Sequence, residues 1–374
     1  MRGGVYALVV GLVLSLGVAR AEKKLMVVTH VGVTQRVFHP KAPRNWRGDP
    51  QKDLRCVVWY PAVDTAVESK QVVGAPGAPL FEAGMAATDA ALAPSINGWP
   101  LVVLSHGSGG SAMQMAWLGT ALARAGFIAV AVDHPGNNSN DKMTPEGLLL
   151  WWERATDLSQ VLDGILADEE FGKKIDQARI GAAGFSIGGF AVLQLAGAQT
   201  DISDFFARCR EKPDSTGCVI PPIESKQLPL ALATPADILH AVHKTSGESL
   251  ARSEELFSDE RFGAVFAMAP AMAFTFTQES MHAIRLPVEM VAGDDDRTAP
   301  AKENAAYVRS EIKGAKLTTL PHVGHYTFLD TCTAEGKQKL GQLCEDDKAV
   351  DRDAVHAQVA TMAVEFFRKA LRVK

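Results

Sequence analysis

The chain has 374 residues, 47% of them hydrophobic, with 38 basic and 43 acidic side chains for a formal net charge of −5. That length suits one large α/β domain or two ordinary ones, and the apolar content is ample for a folded core, which sets aside a disordered chain. A mildly acidic balance with no basic run argues against a nucleic-acid partner.

The first residues stand apart. Arg2 precedes the apolar run "VYALVVGLVLSLGVA", and Ala19-Arg20-Ala21 has the small-x-small form of a cleavage site. Together they predict a secretory signal peptide over residues 1–21, cut near Ala21, and an exported protein, periplasmic or secreted. The competing reading is an uncleaved membrane anchor, but the run is shorter than the about 20 residues needed to span a bilayer.

From there, apolar strand-like runs alternate with segments of helical period, the pattern of a mostly parallel sheet covered by helices. The strands expected in chain order are "LRCVVWYPA", "PLVVLSHG", "FIAVAVDHPG", "ARIGAAGFS", "GAVFAMAPA", "PVEMVAGDDD" and "KLTTLPHVGH". Most are continuously apolar, as strands buried on both faces should be. Between them "AMQMAWLGTALARAG", "WWERATDLSQVLDGILAD" and the last "DAVHAQVATMAVEFFRKALRVK" carry apolar residues at helical spacing. The stretch "VGAPGAPLFEAGMAATDAALAPS" reads as a mobile loop.

Residues from about 200 to 260 break the alternation. They hold a proline pair, Pro221 and Pro222, and two short helical patterns without a convincing strand. We read them as a lid-like insertion lying over the sheet edge. Five cysteines in an exported chain invite pairing. The economical pairs close two local loops, Cys209–Cys218 around "CREKPDSTGC" in the insertion, distant from any chemistry, and Cys332–Cys344 around "CTAEGKQKLGQLC". Cys56 is then left as a buried thiol in a strand. There is no CxxC pair or HExxH helix, and His240-x-x-His243 reflects a helix face, so neither a metal nor a cofactor is expected.

Chemistry concentrates at strand ends. Ser186 sits in Gly184-Phe185-Ser186-Ile187-Gly188-Gly189, after the strand "RIGAA" and before the helical run "FAVLQLAG". A sharp strand-to-helix turn leaves no room for flanking side chains, so glycines there let a strained serine project as a nucleophile. The bland alternative is a glycine-rich turn. A serine hydroxyl needs a base within hydrogen-bond reach and a third group to orient that base. Downstream, one strand runs into Asp294, Asp295 and Asp296, and another ends at a loop carrying His322 and His325, the latter the better base on pattern grounds. Both loops follow strand ends, where sheet enzymes bind ligands. Acyl transfer also needs donors for an oxyanion. The backbone amide of Ile187 and that of Ser108 in "LSHGSGG" are the candidates; the competing reading, a phosphate loop, would end in the adjacent lysine and hydroxyl residue of a Walker motif, a pair absent here. His106 and His134 also end strands and are read as structural.

The order Ser186, Asp296, His325 resembles the α/β-hydrolase superfamily, and "SHGSGG", "DHPGNN", "GFSIGG" and "GDDDRTAP" together resemble its dienelactone hydrolase-like and platelet-activating-factor acetylhydrolase-like branch. The openings "VGVTQRVFHP" and "RCVVWYPA" are similar to that branch too. The resemblance spans nearly all of residues 22–374 and implies an α/β-hydrolase catalytic domain there, with the lid-like insertion after the nucleophile helix. It implies Asp296 as the acid, three residues after Gly293 and four before Pro300, and His325 as the base after Val323-Gly324. A serine where true dienelactone hydrolases use cysteine points to ordinary esters. The implied activity is a cofactor-free serine esterase acting on small-molecule or lipid esters of short to medium acyl chain, meeting membranes only through a lipid substrate. A lipase, a phospholipid or polyester hydrolase, or a noncatalytic binding protein of the same fold are the alternatives.

Overall fold

A computed structural model of the chain describes Met1 and residues 30–41, 53–219 and 235–373. Residues 2–21 of the expected signal peptide and the Pro221–Pro222 pair lie outside the described residues.

One sheet of eleven strands organises the described residues. Its centre is built from β5 (Trp99–Ser105), β6 (Ile128–Val132), β7 (Ile175–Phe185), β8 (Ala264–Met268), β9 (Val288–Gly293) and β10 (Lys316–Leu320). These six run parallel, in the spatial order β10-β9-β8-β7-β5-β6. Beyond β6 the sheet turns antiparallel through β2 (Leu54–Ala62) and β1 (His30–Phe38). Then follow β4 (Ala78–Thr88), β3 (Ser69–Ala75) and the two-residue β11 (Thr331–Cys332).

Why the central strands read as unbroken apolar runs follows from what covers them. Every residue of β5, β6 and β8 is buried. Alternate side chains feed two separate cores, one on each face. Leu101, Val103, Ile128 and Val130 pack with Leu158, Val161 and Leu162 of α3 (Glu153–Ala167). Val102, Leu104, Ala129 and Ala131 pack instead with Leu118 and Leu122 of α1 (Ala116–Arg124), and with Val359 and Phe367 of the last helix, Arg352–Ala370. Edge strand β10 loses this double cover, and its burial is patchy.

The stretch expected to be a mobile loop is instead the β3–β4 hairpin. Ala75 pairs with Ala78 across Pro76-Gly77, and Gly77 has φ +79°. Proline then glycine at positive φ is what the middle of a type II turn requires. The alternation in β4 is blurred by alanines and glycines. The strand is held by distant partners, Gly32 and Val33 of β1 and Thr331 and Cys332 of β11.

The sequential strands β5, β6 and β7 place β6 and β7 on opposite sides of β5. A crevice opens at such a reversal, beyond the carboxyl ends of the strands. The loops after β5, β7, β9 and β10 all end there.

Candidate active site

Ser186 follows β7 directly and caps α4 (Ile187–Leu195) with φ +57° and ψ −121°. A non-glycine residue at positive φ is strained and persists only where its surroundings fix it. Here the Ser186 N–H donates to Met268 O at 2.9 Å, and the Ser186 carbonyl accepts from Ala271 N at 3.1 Å. The glycines around it are required by contact. A Cβ on Gly184 would run into the Gly188 carbonyl, and one on Gly188 into the Ser105 carbonyl. The turn is tight because the helix starts against both β7 and β5.

The downstream loops bring the other groups. His325 Nε2 lies 2.8 Å from Ser186 Oγ, and His325 Nδ1 lies 2.7 Å from Asp296 Oδ2. The other carboxylate oxygen of Asp296 accepts from Thr298 N at 3.0 Å and Ala299 N at 2.7 Å, so the acid is fixed by its own turn. All three side chains are buried. Asp294 and Asp295 are exposed. Asp294 Oδ1 accepts the His322 backbone N–H at 2.6 Å, and Asp295 pairs with exposed Arg297. His322 is exposed and is not among the residues lining either pocket at Ser186. Gly293 explains the approach of the two loops, because a Cβ there would strike the Val323 carbonyl.

Two lobes of one crevice meet at Ser186. The first is lined by Leu148, Trp151, Phe205, Ile238 and Met272 together with Ser108, Ile187 and Thr298. The second is lined by the Gly107–Gly110 backbone, Gln114, Tyr326 and His325, again with Ser108 and Thr298. Ser108 and Ile187 thus both border the nucleophile candidate. The Ile187 amide belongs to the first turn of α4, where N–H groups lack helical partners.

The insertion reaches the crevice: Phe205 of α5 (Ile202–Glu211), Gly217, Val219 and Ile238 wall the first lobe. The Cys209–Cys218 bond is formed, with Cα atoms 5.3 Å apart, and Gly217 and Val219 flank Cys218. That bridge is therefore beside the crevice, not distant from it. Helix Pro235–His243 packs on α2 (Pro145–Leu149), Thr245 bonds Glu146 at 2.6 Å, and Ser249 bonds both Trp152 and Glu153. A compositional break revealed the segment, but nothing in it revealed which neighbours it would find. His240 and His243 are both exposed on that helix.

Cys332–Cys344 is also formed, with Cα atoms 5.8 Å apart, and Cys56 is buried and unbridged. Around the His325 loop, Trp117 Nε1 donates to Phe328 O at 3.0 Å, His356 Nε2 to Thr327 O at 2.8 Å, and Thr327 Oγ1 to Asp346 at 2.7 Å. Sequence reading missed this clasp. Trp117 and His356 carry no motif and meet only in the fold, rings stacked 4.4 Å apart.

Comparison with known proteins agrees with this architecture. A family model described as "Alpha/beta hydrolase family" matches residues 102–335. Cutinase est1 of Thermobifida alba is 32% identical over 108 residues, 28% of this chain and 33% of that protein. Lipase 1 of Moraxella sp. (strain TA144) is 34% identical over 83 residues, 22% of this chain and 23% of that one. The chain thus spans a third or less of the length of these curated relatives. A solved ferulic acid esterase from Streptomyces cinnamoneus superposes with a TM-score of 0.61 over 92% of this chain and 91% of its own, at 20% identity, which is a likeness of fold.

Proposed function

Because the chain belongs to the alpha/beta hydrolase family, whose model matches more than half of it, we propose that it is a serine hydrolase of carboxylic esters working through Ser186, His325 and Asp296. The observation that carries the reading is the unbroken chain from Asp296 through His325 to Ser186 Oγ, ending where a crevice opens. Ser186 attacks the ester carbonyl and passes its proton to His325 Nε2. Asp296 holds the ring by Nδ1 and stabilises the imidazolium. The amides of Ser108 and Ile187 receive the oxyanion. His325 then gives the proton to the departing alcohol, and water repeats the sequence to free the acid.

The lobes orient the substrate. A general acid must reach the leaving oxygen, and His325 borders only the second lobe. The alcohol half accordingly occupies the second lobe, among peptide groups, Gln114 and Tyr326, and the acyl half takes the apolar first lobe. The volume of that lobe, about 120 Å³, is near the ~150 Å³ of a cavity that holds benzene. This supports short to medium acyl groups over long ones. No cofactor is called for by this sequence of steps. Export is supported by the two disulfides, which persist in oxidising compartments, and the dienelactone hydrolase-like branch by the motifs "DHPGNN" and "GDDDRTAP".

A fluorophosphonate probe followed by peptide mapping, with an ester panel from acetate to laurate, tests the reading. Labelling at Ser186 and a maximum at short or medium acyl length are the expected results. An unlabelled Ser186 in folded protein would make the chain a binding protein, and a maximum at laurate a lipase.

A further inference from the structure

A second Ser-His-Asp chain lies beneath the crevice. Ser105 Oγ is 2.8 Å from His134 Nε2, and His134 Nδ1 is 2.9 Å from Asp157 Oδ2. Ser105 ends β5, His134 follows β6, Asp157 belongs to α3, and none is more than 1% exposed. With no path for an ester, this set has another use, and its neighbour His106 shows which.

The His106 ring lies 5.1 Å from that of His134. Its Nδ1 is 2.6 Å from Gly107 O. A carbonyl only accepts, so Nδ1 carries the proton. Its Nε2 accepts the His134 backbone N–H at 3.2 Å, which requires a neutral ring. Burial, with Arg154 and His134 nearby, holds the ring neutral by keeping its pKa well below the ordinary histidine value. Gly107 O is held a second time by Gly110 N at 3.2 Å.

The next step is peptide geometry. No peptide bond among the described residues is cis. In a trans peptide the carbonyl and the following N–H point in opposite directions. Drawing Gly107 O back toward His106 and Gly110 therefore turns the Ser108 N–H the other way, and Ser108 borders both lobes at Ser186. Around the same loop, Asn137 Oδ1 accepts Gly109 N at 2.6 Å, and Arg154 donates to His106 O at 2.7 Å.

The geometry points to His106 as a positioning residue that aims the Ser108 amide at the oxyanion, with Ser105, His134 and Asp157 as the buried brace that sets the His106 ring. This rests on the esterase reading above. His106 touches no reacting atom, and it acts through the 107–108 peptide.

The test compares His106→Asn, whose side-chain nitrogen falls where Nδ1 stands, with His106→Gln, whose nitrogen sits one bond further out. Both are assayed for kcat, KM and inhibition by a trifluoromethyl ketone, which forms a tetrahedral adduct at the serine. Loss of one oxyanion donor costs on the order of 10²-fold in kcat. His106→Gln should therefore lose about 10²-fold in kcat and in ketone affinity with KM little changed, and His106→Asn should recover to within about tenfold of wild type. Equal rates in both variants, a change confined to KM, or a His106→Gln protein that fails to fold while His106→Asn folds would overturn the positioning role. The fluorophosphonate label on wild-type Ser186 keeps the two readings separable: with it present, failure here leaves the esterase reading standing, and without it both fall.

Discussion

Ser186-His325-Asp296 and Ser105-His134-Asp157 have the same three side chains in the same order of contact. Serine-to-imidazole distances are 2.8 Å in both, and imidazole-to-carboxylate distances are 2.7 Å and 2.9 Å. They differ in everything around them. Ser186 stands at φ +57° on a turn facing a crevice, beside two candidate oxyanion amides. Ser105 lies in a regular strand inside the core. Hydrogen-bonded constellations of this kind are thus insufficient for chemistry. Access and oxyanion donors make one a candidate site, and burial makes the other a brace.

The widest separation between the two should come from their serines. Ser186→Ala is expected to lower kcat by on the order of 10⁶-fold, while Ser105→Ala stays within about tenfold of wild type, both read from ester turnover on folded protein. A parallel contrast holds for histidines downstream: His325→Ala should be nearly as severe as Ser186→Ala, and His322→Ala close to neutral. Similar losses from the two serines would erase the distinction.

The acids should invert the ranking when stability is measured instead. Asp157→Ala strands a partner deep in the core and should cost about 3–5 kcal/mol in urea unfolding. Asp296→Ala is expected to cost less, since its partner His325 borders the crevice, but to lose activity on the order of 10⁴-fold. Finding Asp157 dispensable for stability would remove the brace.

The disulfides sharpen the contrast between loop and core. Cys332 is seven positions beyond His325 and pairs with Phe81 in the sheet. Cys332→Ser should lower stability by up to about 3 kcal/mol, with a smaller fall in kcat because alignment of the base loosens. Cys209→Ser, beside the first lobe, should alter acyl preference more than turnover. Free thiols at Cys332 and Cys344 on non-reducing peptide mapping would refute the pairing.

The effect with the least bearing on activity concerns pH. His356, which donates to Thr327 O behind the base loop, is buried, and its pKa falls to about 4. Unfolding restores the ordinary value, so between pH 6.5 and 4 the unfolded chain binds the extra proton. Stability is therefore full above pH 6.5 and declines as pH falls toward 4, by about 3 kcal/mol in all from this group. Denaturant midpoints in His356→Gln should decline less steeply over that window. An unchanged slope would mean that another group sets it.

Sequence alone determined the alternation of strands and helices, because burial on both faces demands continuous apolar runs at β5, β6 and β8. It also marked Ser186, since the glycines of a strand-to-helix turn are a local steric requirement, and it paired the cysteines, whose loops are short. It misjudged the β3–β4 hairpin, whose strand β4 is held also by β1 and by β11, Cys332 of which pairs with Phe81 across 251 positions (332 − 81). Three consecutive acids are indistinguishable by composition; the family resemblance singled out Asp296, and the fold buries that one against His325 while Asp294 and Asp295 stay exposed. Only tertiary structure revealed that His134 meets Asp157 and Ser105, or that Phe205 and Ile238 wall the crevice. Turn chemistry and hydrophobic period are written in neighbouring residues, whereas the contacts that orient a base, a peptide plane or a pocket wall join segments whose spacing in sequence carries no trace of their meeting.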